Sequence, residues 1–458
     1  MAIFEAMSKS PREILSHLSK DSSLINLLSG SSVVLLFKVL GALSGYAFAF
    51  LAGKLLGPTS FGTYELAFTA LMILGTLGRL GLDGVLVKML SEWKSTQDFG
   101  KIKSLYQQVM LHGLIWSLLL GLTLYVMAPI IAPFFGGESL VVSFKSAALG
   151  LPFFLFLTLN IEAIRGFKKM IAFAVFQNGT VLLLASLFLY LGIEMHNSWL
   201  ALPMNSFVAS LAIVSVGSGL TYRRIQRNVI GKTQVDRIAM KGIYKIAIPM
   251  LVSGALFYVI SWTDVLMVGF FIDERAVGIY RIAFKVATLV TFTQFAINSF
   301  LAPAISELHT SGGKDSFRRL IRQVGIINFW MAVPVAMVIF VFPHFLLGLF
   351  GPEYPEAIST LRILGMGQLI NALCGPVLYI LNMTGKEKDS QNIMLYVTIV
   401  NVVLNAILIP IYGIYGAAWA TSVSMILWNV AAVRKVVQYY SVWPVSFLDK
   451  IVEDGSKS

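Results

Sequence analysis

Residues 61–75 read FGTYELAFTALMILG and residues 277–291 read VGIYRIAFKVATLVT. Laid over one another without a gap, Gly62, Tyr64, Ala67 and Phe68 fall on Gly278, Tyr280, Ala283 and Phe284. Further along, LVKMLSEW (86–93) falls near LAPAISELH (301–309), where a one-residue slip brings Ser91 and Glu92 onto Ser306 and Glu307. Both copies are strongly apolar. A membrane chain built from two similar halves is the layout of a transporter whose site lies between the halves.

The composition agrees. Of 458 residues, 57% are hydrophobic and 13% charged, and the mean hydropathy is +0.78. Soluble domains carry about 25% charged residues, so this chain is made for a bilayer. Runs of about 20 apolar residues cross a hydrocarbon core as helix. About twelve such runs occur, at 31–55, 61–87, 105–128, 142–164, 171–191 and 199–220, then at 243–270, 276–300, 320–342, 358–381, 391–410 and 416–436. The longest polar gap, 221–242, divides them into two sets of six. The expected organisation is a cytoplasmic N-terminal segment (1–30), an N-lobe (31–220), a basic cytoplasmic linker (221–242), a C-lobe (243–436) and a cytoplasmic tail (437–458). The first 30 residues lack the ordered regions of a cleaved signal peptide.

Loop charge tests the count independently. With the N-terminus inside, 24 lysines and arginines fall in cytoplasmic segments, among them Arg223, Arg224, Arg227, Arg318, Arg319 and Arg322. The outer loops hold only Arg275. That asymmetry fixes an even number of spans with both ends inside. Two halves of six spans then enter the membrane the same way. The expected fold is an all-α integral membrane protein of two six-helix lobes, related by a pseudo-two-fold along the membrane normal. Gly41 and Gly45 offer a close helix contact. Pro152, Pro249, Pro303, Pro334 and Pro376 lie in or near spans and remove helix donors.

Charges inside spans face a bundle interior or water. In helix 2, Glu65, Thr69, Met72, Thr76, Arg79 and Asp83 recur at three- and four-residue steps, on one face. The repeat carries that face onto Arg281, Lys285, Thr288, Phe292, Phe295 and Ser299 of helix 8. At 1.5 Å per residue, Arg281 lies about 6 Å and Lys285 about 12 Å below the outer start of helix 8, and Lys38 about 10 Å from the inner start of helix 1. Arg79, Asp83, Lys88, Glu162 and Arg165 lie near inner ends, where snorkelling is the stronger reading beside a functional one. A central cavity lined by Lys38, Arg79, Arg281 and Lys285 is net basic and favours an anion, above all a phosphate or pyrophosphate. Asp264, Asp83 and Glu65 are the acids available for coupling to an ion gradient.

Several classes are excluded or disfavoured. The single cysteine, Cys374, allows no intramolecular disulfide, and the five histidines have no metal-ligand spacing. No metal or cofactor is expected. The net charge of +12 sits in short loops, which topology explains without nucleic acid. The fragment Gly231-Lys232-Thr233 lacks the earlier glycine of a P-loop, because position 226 is Gln. No enzyme constellation is present, and the outer loops are short for a membrane glycosyltransferase or polymerase.

The stretch LLGPTSFGTYELAFTALMILGTLGRLGLDGVLVKMLSEW (55–93) resembles the start of Wzx-type polysaccharide-biosynthesis flippases, of the multidrug/oligosaccharidyl-lipid/polysaccharide (MOP) exporter superfamily. ISWTDVLMVGFFIDERAVGIYRIAF (260–284) is similar to the helix 7–8 segment of that family, and IPIYGIYGAAWATSVS (409–424) to its helix 11–12 turn. The motif positions are Gly57, Pro58, Gly62, Tyr64, Asp83 and Asp264. The resemblance implies a MATE-like fold, alternating access, and a polyprenyl-pyrophosphate-linked oligosaccharide as cargo for O-antigen, capsule or exopolysaccharide synthesis. It implies a bacterial inner cell membrane, contact with membrane lipid, coupling to H+ or Na+, and a polysaccharide polymerase and chain-length protein as partners. A cation-coupled multidrug antiporter is the rival, and wants an acidic cavity. Lipid II flippases typically have two further helices.

Overall fold

The structure, a computed structural model, describes residues 22–231, 234–236, 238–292, 294, 305 and 314–443, with the backbone alone for 22–33, 252–260 and 314. All regular structure among these residues is helical. The inner half of span 8, with Phe295, Ser299, Pro303 and the echo at Ser306 and Glu307, lies outside them.

Nine helical stretches among the described residues are long and apolar enough to cross a bilayer. The first, α1 (Ser22–Arg79), supplies two crossings because it breaks at Gly57 (φ 79°, ψ 176°). Pro58 forces an extended ψ on the residue before it, and its own fixed φ suits the first turn of the arm that follows. α8 (Met240–Phe271) and α9 (Glu274–Thr288) take the positions of spans 7 and 8. The remaining helices are α2 (Leu82–Ser95), α3 (Phe99–Ile131), α4 (Ser139–Gly166), α5 (Met170–Gln177), α6 (Thr180–Glu194) and α7 (Pro203–Val229) in the first lobe. In the second they are α10 (Lys314–Val341), α11 (Pro343–Gly348), α12 (Ile358–Cys374), α13 (Val377–Met383), α14 (Glu387–Tyr412) and α15 (Ile414–Tyr440).

One shift relates the lobes. Adding 216 residues, the separation of Glu65 and Arg281, carries α3 onto 315–347, α4 onto 355–382 and α7 onto 419–445. These ranges overlie α10 with α11, α12 with α13, and α15. The short echo in the sequence is thus the best-preserved part of a duplication that runs through six spans.

Three expected spans are interrupted. Span 2 breaks at Leu80 and Gly81, both at positive φ, so α1 stops at Arg79 and α2 resumes at Leu82. Span 5 breaks at Gly179 (φ 79°), which lies directly against Gly41 of α1. That is the close contact expected of Gly41, made to a broken helix where neither residue has room for a side chain. Span 10 breaks at Gly375, before Pro376, which donates no hydrogen bond. α7 also continues to Val229, so Arg223, Arg224 and Arg227 ride on helix beyond the expected linker boundary.

Burial follows bilayer logic. α3 buries Gly113, Ser117 and Gly121, small residues that let helices approach. Its opposite face presents Leu118, Leu122, Val126 and Ile130, all more than half exposed, to the position of lipid. We expect Met195, between α6 and α7, to be extracellular and Ser95, at the end of α2, cytoplasmic. In a Cys374→Ala background, Met195→Cys should react with an impermeant thiol reagent on intact cells, and Ser95→Cys only after permeabilisation. The reverse pattern would invert the topology.

Candidate functional site

The two echo segments pack against one another. A Cβ on Gly62 would run into the carbonyl oxygen of Glu274, and a Cβ on Gly278 into that of Pro58. Residues 62 and 278 are equivalent under the 216-residue shift, and so are 58 and 274. The contact is therefore isologous, each half offering the same patch to the other around a local two-fold. Backbone meets backbone there because neither glycine carries a side chain.

One helical turn inward, equivalent positions meet again with opposite charge. The Arg281 Nε donates to Glu65 Oε2 at 2.8 Å, with the two side chains 9% and 2% exposed. Lys285 Nζ lies 3.6 Å from the other carboxylate oxygen. The Arg281 guanidinium also stands over the rings of Trp262 (5.3 Å) and Phe284 (5.4 Å), which adds cation–π attraction in a desolvated setting. Tyr46 of α1 donates to the Lys285 carbonyl at 3.0 Å and lies 3.1 Å from the Thr288 hydroxyl. Tyr46 and Trp262 are themselves repeat partners, so the first helix of each lobe sends an aromatic ring to the other lobe.

Asp264 is buried beside this centre. Tyr280 donates to its Oδ2 at 2.7 Å, Val265 N–H donates to its Oδ1 at 2.8 Å, and Thr421 lies 3.2 Å from the Tyr280 hydroxyl. In the first lobe the equivalent of Asp264 is Phe48, whose ring packs on Tyr64 at 4.9 Å. An acid on a tyrosine thus stands where the other lobe has two rings in contact.

Of the four cations expected to line a cavity, the geometry brings two together. Arg281 and Lys285 come together, but they share Glu65. Arg79 does not join them: its Nη1 meets Asp83 at 3.0 Å, its Nη2 meets Thr76 at 2.8 Å, and its Nε meets the Gly75 carbonyl, all on its own helix or the next turn. Glu162 and Arg165 pair in the same way at 2.9 Å. Lys38 is exposed, and no ion pair to it occurs among the described residues. With Asp264 near Arg281, the centre is close to neutral as it stands. Buried cations need this: an unpaired one costs several kcal/mol.

Exposed pairs join the start of α9 to the segment before α12, both in the second lobe. Arg275 bonds Glu356 at 2.8 Å and Glu353 at 3.3 Å. The guanidinium holds the Glu356 carboxyl below its usual range. This pairing is complete above the ordinary glutamate value of about 4.3 and is lost as pH falls through the lowered one.

Two helical lobes around a charged seam make a MOP-type exporter fold. Solved structures titled "Lipid II flippase MurJ, inward closed conformation" (TM-score 0.69, 14% identity, 89% of this chain and 87% of that one) and "Inward-facing conformation of a multidrug resistance MATE family transporter of the MOP superfamily" (0.71, 16%, 90% and 98%) share it. The chain belongs to the polysaccharide biosynthesis protein family, whose model matches residues 27–309; the MatE model matches 249–411. Among relatives, "Probable flippase AglR" of Haloferax volcanii is 29% identical over 187 residues, 40% of this chain and 39% of that protein. "Teichuronic acid biosynthesis protein TuaB" of Bacillus subtilis is 22% identical over 57% of this chain and 53% of that one. These matches span about half or less of each relative's length.

If Glu65 and Arg281 are one buried pair, removing either partner alone should cost about 3–5 kcal/mol, while exchanging them should be tolerated. Glu65→Ala and Arg281→Ala should each lower the melting temperature of the purified protein, and Glu65→Arg/Arg281→Glu should recover most of the loss. An exchanged protein no more stable than the single variants would show that the pair is not the tie between lobes.

Proposed function

We propose that the protein is a flippase that moves polyprenyl-pyrophosphate-linked oligosaccharide units from the cytoplasmic to the outer leaflet by alternating access. The observation that carries this reading is the Glu65–Arg281–Lys285 triad, with two cations on one lobe and one carboxylate on the other. A diphosphate bears the charge and the acceptor oxygens that both cations seek. It competes with Glu65 for them.

That competition supplies a mechanism. While the site is empty, Glu65 neutralises the cations and ties the lobes near their outer ends. An arriving diphosphate takes over Arg281 and Lys285 and releases Glu65. The tie is lost, and the state open to the outside gains population by the difference in affinity. After release of the cargo, Glu65 recaptures Arg281 and the outer end closes. Lys38, on the exposed side of α1 about two turns inward of Tyr46, is placed to meet phosphate before the centre does. Arg79, held by Asp83, serves the helix break at Leu80 and Gly81. The family and the flippase names of its relatives support the reading. A cationic drug would find both carboxylates of this centre already engaged, Glu65 by Arg281 and Lys285 and Asp264 by Tyr280, which disfavours multidrug export.

Coupling falls to an acid whose charge depends on Arg281. Asp264, held by Tyr280, is the first choice and Glu65 the second; H+ or Na+ is the ion. The cell membrane is the setting, with both termini cytoplasmic. A polymerase and a chain-length protein acting on the flipped unit would keep the transport downhill.

Lys285→Ala should reduce export in a flippase-null strain at least tenfold at normal abundance, and Lys285→Arg should restore part of it. Unchanged export by Lys38→Ala, Arg281→Ala and Lys285→Ala alike would overturn the site. In proteoliposomes, Asp264→Asn should flip a lipid-linked saccharide without responding to an imposed proton or sodium gradient. A response equal to that of the unmodified protein would make Asp264 structural.

A further inference from the structure

At the cytoplasmic end of the second lobe, the start of α10 and the end of α15 enclose a cavity of about 320 Å³ lined by Asp315, Arg318, Arg319, Arg322, Ser441 and Trp443. Three guanidinium groups of α10 line it, two from one turn (Arg318 and Arg319) and one from the next (Arg322). Arg318 is anchored, its Nε donating to the Tyr440 carbonyl at 2.9 Å. The one carboxylate, Asp315, is 91% exposed and 3.7 Å from Arg318, a weak competitor.

The duplication supplies an internal control. Under the 216-residue shift, Arg318 and Arg322 correspond to Ile102 and Tyr106 of α3, while Arg319 corresponds to another cation, Lys103. Ile102 is fully buried. Tyr106 stacks on Tyr222 with ring centres 3.8 Å apart and donates to Asn160 at 2.7 Å. The first lobe fills this corner with side chains. The second leaves it open and lines it with arginines. Simple topology asks only for positive charge on the inner side, which other inner residues meet as ordinary pairs, Lys101 with Asp98 and Lys435 with Asp389. It does not ask for a cavity.

The corner stands where the apolar part of span 9 begins, at about Leu320, the depth of lipid headgroups. Planar guanidinium forks suit phosphate oxygens bidentately. Basic pockets between spans on the cytoplasmic side are fitted to anionic headgroups, and the Trp443 indole belongs at the same interface. We infer that this cavity binds the phosphate of a lipid in the cytoplasmic leaflet, at a site separate from the centre between the lobes. Two lipids carry that chemistry, an anionic phospholipid and a polyprenyl pyrophosphate.

The test is native mass spectrometry of the full chain purified in detergent, titrated with phosphatidylglycerol or phosphatidylcholine of the same acyl chains. The unmodified protein should retain one phosphatidylglycerol about tenfold more tightly than phosphatidylcholine. Arg319→Gln/Arg322→Gln, and the milder Arg319→Gln alone if the double variant melts early, should lose that preference. Polyprenyl pyrophosphate added to the loaded protein separates the sources. Displacement of the retained phosphatidylglycerol assigns the site to the carrier lipid, and coexistence of both lipids assigns it to the phospholipid. Equal retention of the two phospholipids by the unmodified protein, or an undiminished preference in the folded variants, would overturn the inference.

Discussion

Everything at the centre of this protein depends on how closely two backbones approach. Gly62 and Gly278 allow the second arm of α1 to lie against α9 with no side chain between them. Only at that separation does Arg281 reach Glu65 from a neighbouring helix while both stay buried. Larger residues at 62 or 278 would separate the helices, lengthen the ion pair and leave charge without a partner in a medium of low dielectric. The glycines therefore govern electrostatics as much as packing. The aromatic residues around them, Tyr46, Trp262 and Phe284, exclude water and strengthen the attraction that remains.

Much of this was legible in the residues. Hydropathy runs give the positions of the spans, because the bilayer imposes a length. The interruptions at Leu80, Gly179 and Gly375 were less visible, since an apolar run reads the same whether or not its helix is broken inside. The breaks are set by tertiary contacts such as Gly179 on Gly41. For the site, spacing places Glu65, Arg79 and Asp83 on one face and depth singles out Arg281 and Lys285. Periodicity reports a face and not a partner. The face of helix 2 was read as looking into a cavity, whereas its outer part looks at its own repeat. Tyr46 and Thr421 were missed because an aromatic or hydroxyl residue in a span is ordinary. Extending the echo back to pair Tyr46 with Trp262 is the signal that points to Tyr46.

The duplication also separates what the two lobes share from what each has changed. Shared features are the glycine contact, the tyrosines at 64 and 280, and an aromatic residue reaching across from the first helix. The second lobe has polar groups of its own, Asp264 where the first has Phe48, Lys285 where it has Thr69, and an arginine-lined corner where it has stacked tyrosines, while the first has Arg79 and Asp83 where the second has Phe295 and Ser299. The first lobe contributes one acid to the centre and otherwise packs around it.

The opposite charges at positions 65 and 281 have a consequence for ancestry. In an assembly of two identical six-span chains, a residue beside the local two-fold faces its own copy. Glutamate would meet glutamate or arginine would meet arginine, and both members of such a pair cannot stay charged when buried. Opposite charges at this place require two copies that mutate independently. Divergence of the halves thus made an ion pair possible where exact symmetry forbids one.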